Sequence, residues 1–333
     1  MTPNTRNFLV GSAVVVIVGL CTGLVAYYSG ALPGRGVAAR TEFAYVPADV
    51  SAVAFADVRR IMDSAFRQKL REVMPTGAEK DRLLENTGID IERDIDTVLA
   101  GLTGSDAKGA VIFMTGRFDR SRIEALAMQH GARQEQYGGR ALLVGLSGAE
   151  PSGGVADGQV PSIAFLDDDL LALGDVTAIR KAIDVAAGGQ GVASNADMMR
   201  FITAADDSGN AWLVGRAASL VDRPEVPDQL RGQVQGLEWV SVSANIDQDV
   251  RGLIRAEARD DESGQQLRTV LAGAISAAQM FAGQDARLAT ALRSVQASGS
   301  GRNVELSFEV SSGLLDLLKA GGPAATDLPA PTP

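Results

Sequence analysis

Uncharged positions run without a break over residues 7–34, and residues 8–28 within that run are densely apolar. About 20 apolar residues at roughly 1.5 Å each cross a hydrocarbon core of about 30 Å. A helix is the only open-ended element that satisfies its own backbone there. Tyr27 and Tyr28 lie at the far end, where amphipathic rings prefer the headgroup level, and Pro33 with Gly34 stops the helix. The pattern predicts a short N-terminal segment (1–7), a transmembrane helix (8–29), a tether (30–43), a folded part (44–320) and a disordered proline-bearing tail (321–333). A cleaved signal peptide fits less well, because its apolar core spans about 7–15 residues. The nearest small-residue cleavage pattern, Val37-Ala38-Ala39, also lies well beyond the apolar run. Cys21 follows the bulky Leu20 and is followed by further apolar residues, unlike a lipid-attachment cysteine.

Beyond the tether, the periodicity alternates between strand and helix. Residues 51–58 alternate as a strand, and Ile61, Met62, Phe66, Leu70 and Val73 then mark one face of a helix. A second helix is expected at 78–86 with Gly88 as its stop, and a compact apolar strand at 110–115. Asp119 stands at an N-cap position, Ile123, Leu126 and Ala127 form the buried stripe, and Gly131 closes that helix. Gly138-Gly139 joins 134–137 to 140–144 as a tight hairpin. After a glycine-rich loop (148–158), strands 163–166 and 170–173 turn at Asp167-Asp168, and Asp175 caps a helix bearing Ile179, Ala182, Ile183 and Ala186.

The C-terminal half repeats this grammar. Ser194 with Asp197 reads as a capping box opening a helix at 196–204, followed by a strand at 211–215. Val240, Val242, Ala244 and Ile246 alternate, and Asp247-Gln248-Asp249 turns the chain into 250–258. Leu267, Val270, Leu271, Ala274, Ala278 and Phe281 share one helical stripe. A short helix near 288–292, a hairpin of 295–298 with 304–310, and a closing helix bearing Leu314, Leu315, Leu317 and Leu318 complete the pattern. The matching junctions at Asp119 and Asp175 raise the possibility of two similar subdomains, 44–190 and 191–320, although short cap signatures also recur by physics alone. Hairpins with helices inserted between them predict an α+β fold of antiparallel sheets with packed helices, preceded by one N-terminal transmembrane helix.

Charge narrows the candidate partners. All 41 acidic residues and every basic residue except Arg6 follow the apolar run, and the whole chain carries −10. Such a balance argues against nucleic acid as a partner, and equally against a domain lying on anionic lipid. The sole cysteine lies in the apolar run, so the remainder is thiol-free, which suits an oxidising compartment. Arg6 on one side and Arg35 with Arg40 on the other nearly balance the positive-inside count. Long downstream domains translocate largely regardless of charge, so the expected topology puts the domain in a bacterial periplasm or its equivalent.

Candidate chemistry is sparse. His130, the one histidine, falls in the last turn of a helix, where a cation complements the dipole. One histidine and no cysteine beyond the apolar run exclude N/S zinc sites and Cys–His nucleophiles there. Gly188-Gly189-Gln190-Gly191 follows a helix rather than opening one, and Gly299-Ser300-Gly301 reads as a hairpin tip, so neither is a phosphate loop. Asp90, Glu92, Asp94 and Asp96 start like a calcium loop, but Ile95 and Gly101 occupy the positions that need glycine and glutamate. Ile89, Ile91 and Ile95 are therefore expected inside with the acids facing water, and Asp167-Asp168-Asp169 reads as a polar turn. Trp212 and Trp239 are expected in the core, and 221–236 is the loop most suited to contacts.

No catalytic, cofactor or metal residue stands out, and no motif assigns a family. The expectation is a membrane-anchored extracytoplasmic binding or scaffold protein without enzymatic activity, held by residues 8–29, with an envelope protein as a possible partner. A carrier of an apolar ligand between sheet and helices is the alternative, and a carboxylate-based hydrolase a more distant one.

Overall fold

The structure, a computed structural model, describes residues 40–73, 89–103, 110–145, 162–221, 236–282, 289, 292–313 and 315. The expected anchor (8–29), tail (321–333), helix 78–86, loop 148–158 and most of loop 221–236 lie outside these residues. No helix among the described residues is long and apolar enough to cross a membrane.

Arg40 to Phe43, read from sequence as the end of the tether, are part of the fold. The 3-10 helix η1 (Thr41–Tyr45) buries Phe43 and Tyr45 in the main core. From there run β1 (Ala52–Ala56), α1 (Val58–Met62), α2 (Ala65–Val73), α3 (Ile91–Asp94), β2 (Ile95–Leu102), β3 (Val111–Gly116) and α4 (Arg120–Gln129). Two hairpins, β4 (Arg133–Tyr137) with β5 (Arg140–Val144) and β6 (Ser162–Asp167) with β7 (Leu170–Gly174), precede α5 (Val176–Ala186), η2 (Val192–Ser194) and α6 (Ala196–Asp206). The chain then forms β8 (Ala211–Arg216), α7 (Ala217–Val221), β9 (Leu237–Ile246), β10 (Val250–Ala258), α8 (Asp261–Ala282), β11 (Gln296–Ser298) and β12 (Asn303–Val310).

The fold is a mixture of helix and strand built on antiparallel pairing, and the strands form one sheet. Its order is β11-β12-β10-β9-β8-β1-β2-β3-β7-β6-β5-β4. Outward from the central β1–β8 pair, β1, β2, β3, β7 and β6 lie in the same order as β8, β9, β10, β12 and β11. Helix α4 follows β3 as α8 follows β10, and β4–β5 is an extra hairpin on the first set. The sheet continues across the β1–β8 junction, where Phe55 pairs with Trp212 and Val53 with Val214.

Helices cover both faces. One face buries Val53, Phe55, Leu99, Phe113, Trp212 and Trp239 under η1, α5 and α6. On the other, α1 and α4 pack on Val98, Ile112, Met114, Phe165 and Leu171, and Leu267 and Leu271 of α8 pack near Ala256 and Val304. Past α6 the first face turns polar, with Arg255 paired to Glu305 at 3.1 Å and Glu257 to Arg200 at 2.9 Å.

Local chemistry moves several boundaries. The single helix expected through Ile61 and Val73 is two, because the Ser64 hydroxyl donates to the Ile61 carbonyl (2.6 Å) and accepts from the Arg67 N–H (3.1 Å). The cap of α6 is Asn195, whose side chain accepts from Met198 N, while the Ser194 hydroxyl donates to the Gly191 carbonyl.

Candidate functional site

The N-terminal turn of α4 stands between two clefts. Gly116 closes β3 where the chain crosses the end of α3 so tightly that a Cβ there would lie 2.0 Å from the Asp94 carbonyl oxygen. Arg117 N–H donates to that same carbonyl at 2.7 Å. The Asp119 carboxylate then accepts from Arg122 N–H (3.0 Å) and starts α4. Three arginines therefore leave the chain within six residues: Arg117, Arg120 and Arg122.

The first cleft, about 200 Å³, is lined by Arg93, Asp94, Arg117, Asp119 and Arg122 over a floor of Ile89, Phe118 and Ile123. Arg93 Nε donates to Asp94 (3.0 Å), and Arg117 Nη2 donates to the Arg93 carbonyl (2.7 Å). Burial pushes the Asp94 carboxyl upward, but hydrogen bonds from Arg93 and the Asp90 N–H, with the charges of Arg93 and Arg117, hold it below its ordinary value. Among the described residues the Arg122 guanidinium, exposed at the rim, has no side-chain partner. The second cleft, about 220 Å³, is lined by Arg120, Arg140, Gln136, Asp167 and Asp168 beside Phe165. There Arg120 bonds Glu124 (2.8 Å) and lies 5.0 Å over the Phe165 ring, and Arg140 donates to the Tyr45 hydroxyl (3.3 Å).

A sealed polar cluster lies elsewhere, at the end of β1. Asp57 caps α1, accepting from Arg60 N–H at 3.3 Å, and is only 3% exposed; burial pushes its carboxyl up to about 7. Glu42 is equally buried and also raised by burial, against the pull of its own backbone N–H and Arg40. Arg40 bonds Asp206 at 2.9 Å and lies 3.8 Å over the Phe55 ring, and Trp212 Nε1 donates to the same carboxylate oxygen at 2.9 Å. This cluster clamps the start of the fold to α6 and β8.

Residues singled out in the sequence are scattered. His130 is the C-cap of α4, its N–H bonded to the Leu126 carbonyl. Asp90 caps α3, Glu92 pairs with Arg67 (3.2 Å) and Asp96 with Arg59. Ile89 and Ile95 are buried, but the neighbouring acids face arginines as much as water. Asp167 and Asp168 reach the second cleft, with the turn itself at Asp168 and Asp169. Both tryptophans are buried, Trp212 stacked on Phe55 (5.6 Å) and Trp239 on Phe201 (5.2 Å). Sequence reasoning missed the arginine group. Its signal was Arg120 and Arg122 in the first turn of a helix, where the macrodipole disfavours cations, with Arg117 just ahead of the cap.

No protein-family model, curated protein or solved structure matches the chain.

Proposed function

We propose that the chain is a membrane-anchored extracytoplasmic binding module, acting by recognition rather than catalysis. One observation carries this reading: five arginines converge on two adjoining clefts at the start of α4, in a protein whose net charge is −10. Concentrated guanidinium groups at a cleft suit a negatively charged partner. A carrier of an apolar ligand would instead call for a dry apolar cavity of several hundred Å³. The anchor at 8–29 and the thiol-free domain favour the outer side of a bacterial inner membrane.

Two measurements test this in intact cells. A photo-cross-linking residue at the exposed Ser121, beside both clefts, is expected to give an adduct that the same probe at Glu262 on α8 does not give. That adduct should vanish in an R117Q/R122Q background. Equal adducts from both positions, or none, count against the reading. A cysteine at position 326 should react with an impermeant thiol reagent; labelling only after lysis would sink the outside placement.

A further inference from the structure

We infer that the cleft between α3 and α4 receives a phosphate group. The inference rests on the binding-module reading and names the chemistry of its ligand. Both carboxylates that line the cleft are already engaged: Asp94 by Arg93 and the Asp90 N–H, and Asp119 by the Arg122 N–H. The arginines are not saturated. Arg117 spends one donor on the Arg93 carbonyl, and Arg122 spends none on any described residue. What the cleft offers is therefore an excess of guanidinium N–H donors, whose fork geometry matches the oxygens of a tetrahedral oxyanion.

Charge points the same way. Three arginines face two aspartates, leaving net positive charge inside an acidic molecule. A phosphate monoester, carrying about −1.5 to −2 near neutral pH, gains more from that field than a singly charged carboxylate does. The cleft, about 200 Å³ and open to solvent, has room for a phosphate with its nearest waters and leaves the remainder of an ester outside.

The phosphate has two possible sources. One is a soluble phosphate or phosphate ester. The other is a phospholipid headgroup, since residues 30–39 extend at most roughly 35 Å from the expected end of the membrane helix to Arg40. The cleft chemistry is common to both.

The test uses the full chain in maltoside micelles, which contain no phosphate. Calorimetric titration at low ionic strength would compare inorganic phosphate with acetate, and micelles doped with phosphatidic acid with micelles doped with diacylglycerol. The expected result is that phosphate binds more tightly than acetate, and at least about tenfold more weakly to R117Q/R122Q, because each lost charge-assisted bond weakens binding by about tenfold or more. R122K, which keeps the charge and loses the fork, should fall between them. Binding of free phosphate in plain micelles assigns the soluble source, and binding only with phosphatidic acid assigns the lipid; either supports the inference. Acetate binding as tightly as phosphate, or phosphate affinity unchanged in a variant that melts like the parent, overturns it. So does absence of binding in every arm, and the Ser121 adduct then decides separately whether the binding-module reading stands.

Discussion

Asp57→Asn isolates the cost of a carboxylate sealed in the fold. The native carboxyl titrates at about 7 instead of 3.8, chiefly through burial. Each unit of separation between native and unfolded pKa corresponds to about 1.4 kcal/mol, so the ceiling is about 4 kcal/mol. The charges of Arg60 and Arg40 are already contained in that value, and local relaxation with water access reduces the ceiling to about 2 kcal/mol. The sign follows from proton counting: between 3.8 and about 7 the native protein holds a proton that the unfolded chain releases, so this contribution is full in acid and is lost as pH rises through 7. Asparagine caps a helix as well as aspartate does, so the Arg60 N–H keeps its partner. The variant should match the parent within about 1 kcal/mol near pH 4 and exceed it by about 2 kcal/mol near pH 8. Urea unfolding of the full chain in micelles, followed by the fluorescence of buried Trp212 and Trp239, measures both. Glu42 is raised in both proteins and cancels in the difference. A gap between variant and parent that is the same at both pH values would refute the reasoning.

Three further perturbations probe packing. Asn210→Ala removes the donor to the Ile246 carbonyl (2.8 Å) and the acceptor of its N–H (3.0 Å), stranding buried backbone groups between β8 and β9; about 2–4 kcal/mol should be lost in the same unfolding assay. Gly252→Ala drives a Cβ to 2.1 Å from the Phe308 ring across the β10–β12 pair, which should lower stability by about 1–3 kcal/mol, and Phe308→Leu in the same chain should recover part of it in a double-mutant cycle. Gly116→Ala must part β3 from the Asp94 carbonyl that Arg117 bonds; it should lower the melting temperature and weaken phosphate affinity together, whereas R122Q should weaken affinity alone.

The caps of α4 and α5 and the tight β4–β5 hairpin were legible because their causes are local, whereas the cap of α6 fell one residue from where its spacing indicates. Asp119 and Asp175 cap α4 and α5 as their spacing indicates, and Gly138 and Gly139 both have positive φ (56° and 76°) in the β4–β5 turn. Strand β2 was not legible, because Val98, Ala100 and Leu102 are apolar on one face while Leu99 is buried on the other, so no alternation marks it. Nor could the sequence reveal that hairpins merge into one sheet. That depends on β1 pairing with β8, a contact between residues such as Phe55 and Trp212 that no local pattern encodes. The arginine cleft was half visible: Arg117, Arg120 and Arg122 are adjacent in the chain, but Arg93 and Arg140 join them only through the fold.

The matching strand order of the two sets supplies an internal comparison for the cleft. Helices α4 and α8 occupy equivalent places, each leaving the sheet after β3 or β10. Helix α8 opens with Asp261 and Glu262, as the dipole favours, and its first turn is packed shut: a Cβ at Gly264 would lie 2.3 Å from the Gly301 carbonyl oxygen. Helix α4 opens with Arg120 and Arg122, has no acid in its first turn, and stands beside open clefts. Each cation so placed costs about 0.3–1 kcal/mol against the dipole. The acidic start of α8 demonstrates that this position in the sheet does not itself require arginine. Arg120 already has Glu124 as a partner, and an anion seated between Arg117 and Arg122 would convert the cost at Arg122 into attraction, so that cleft and the charge at its rim have a single explanation in the ligand.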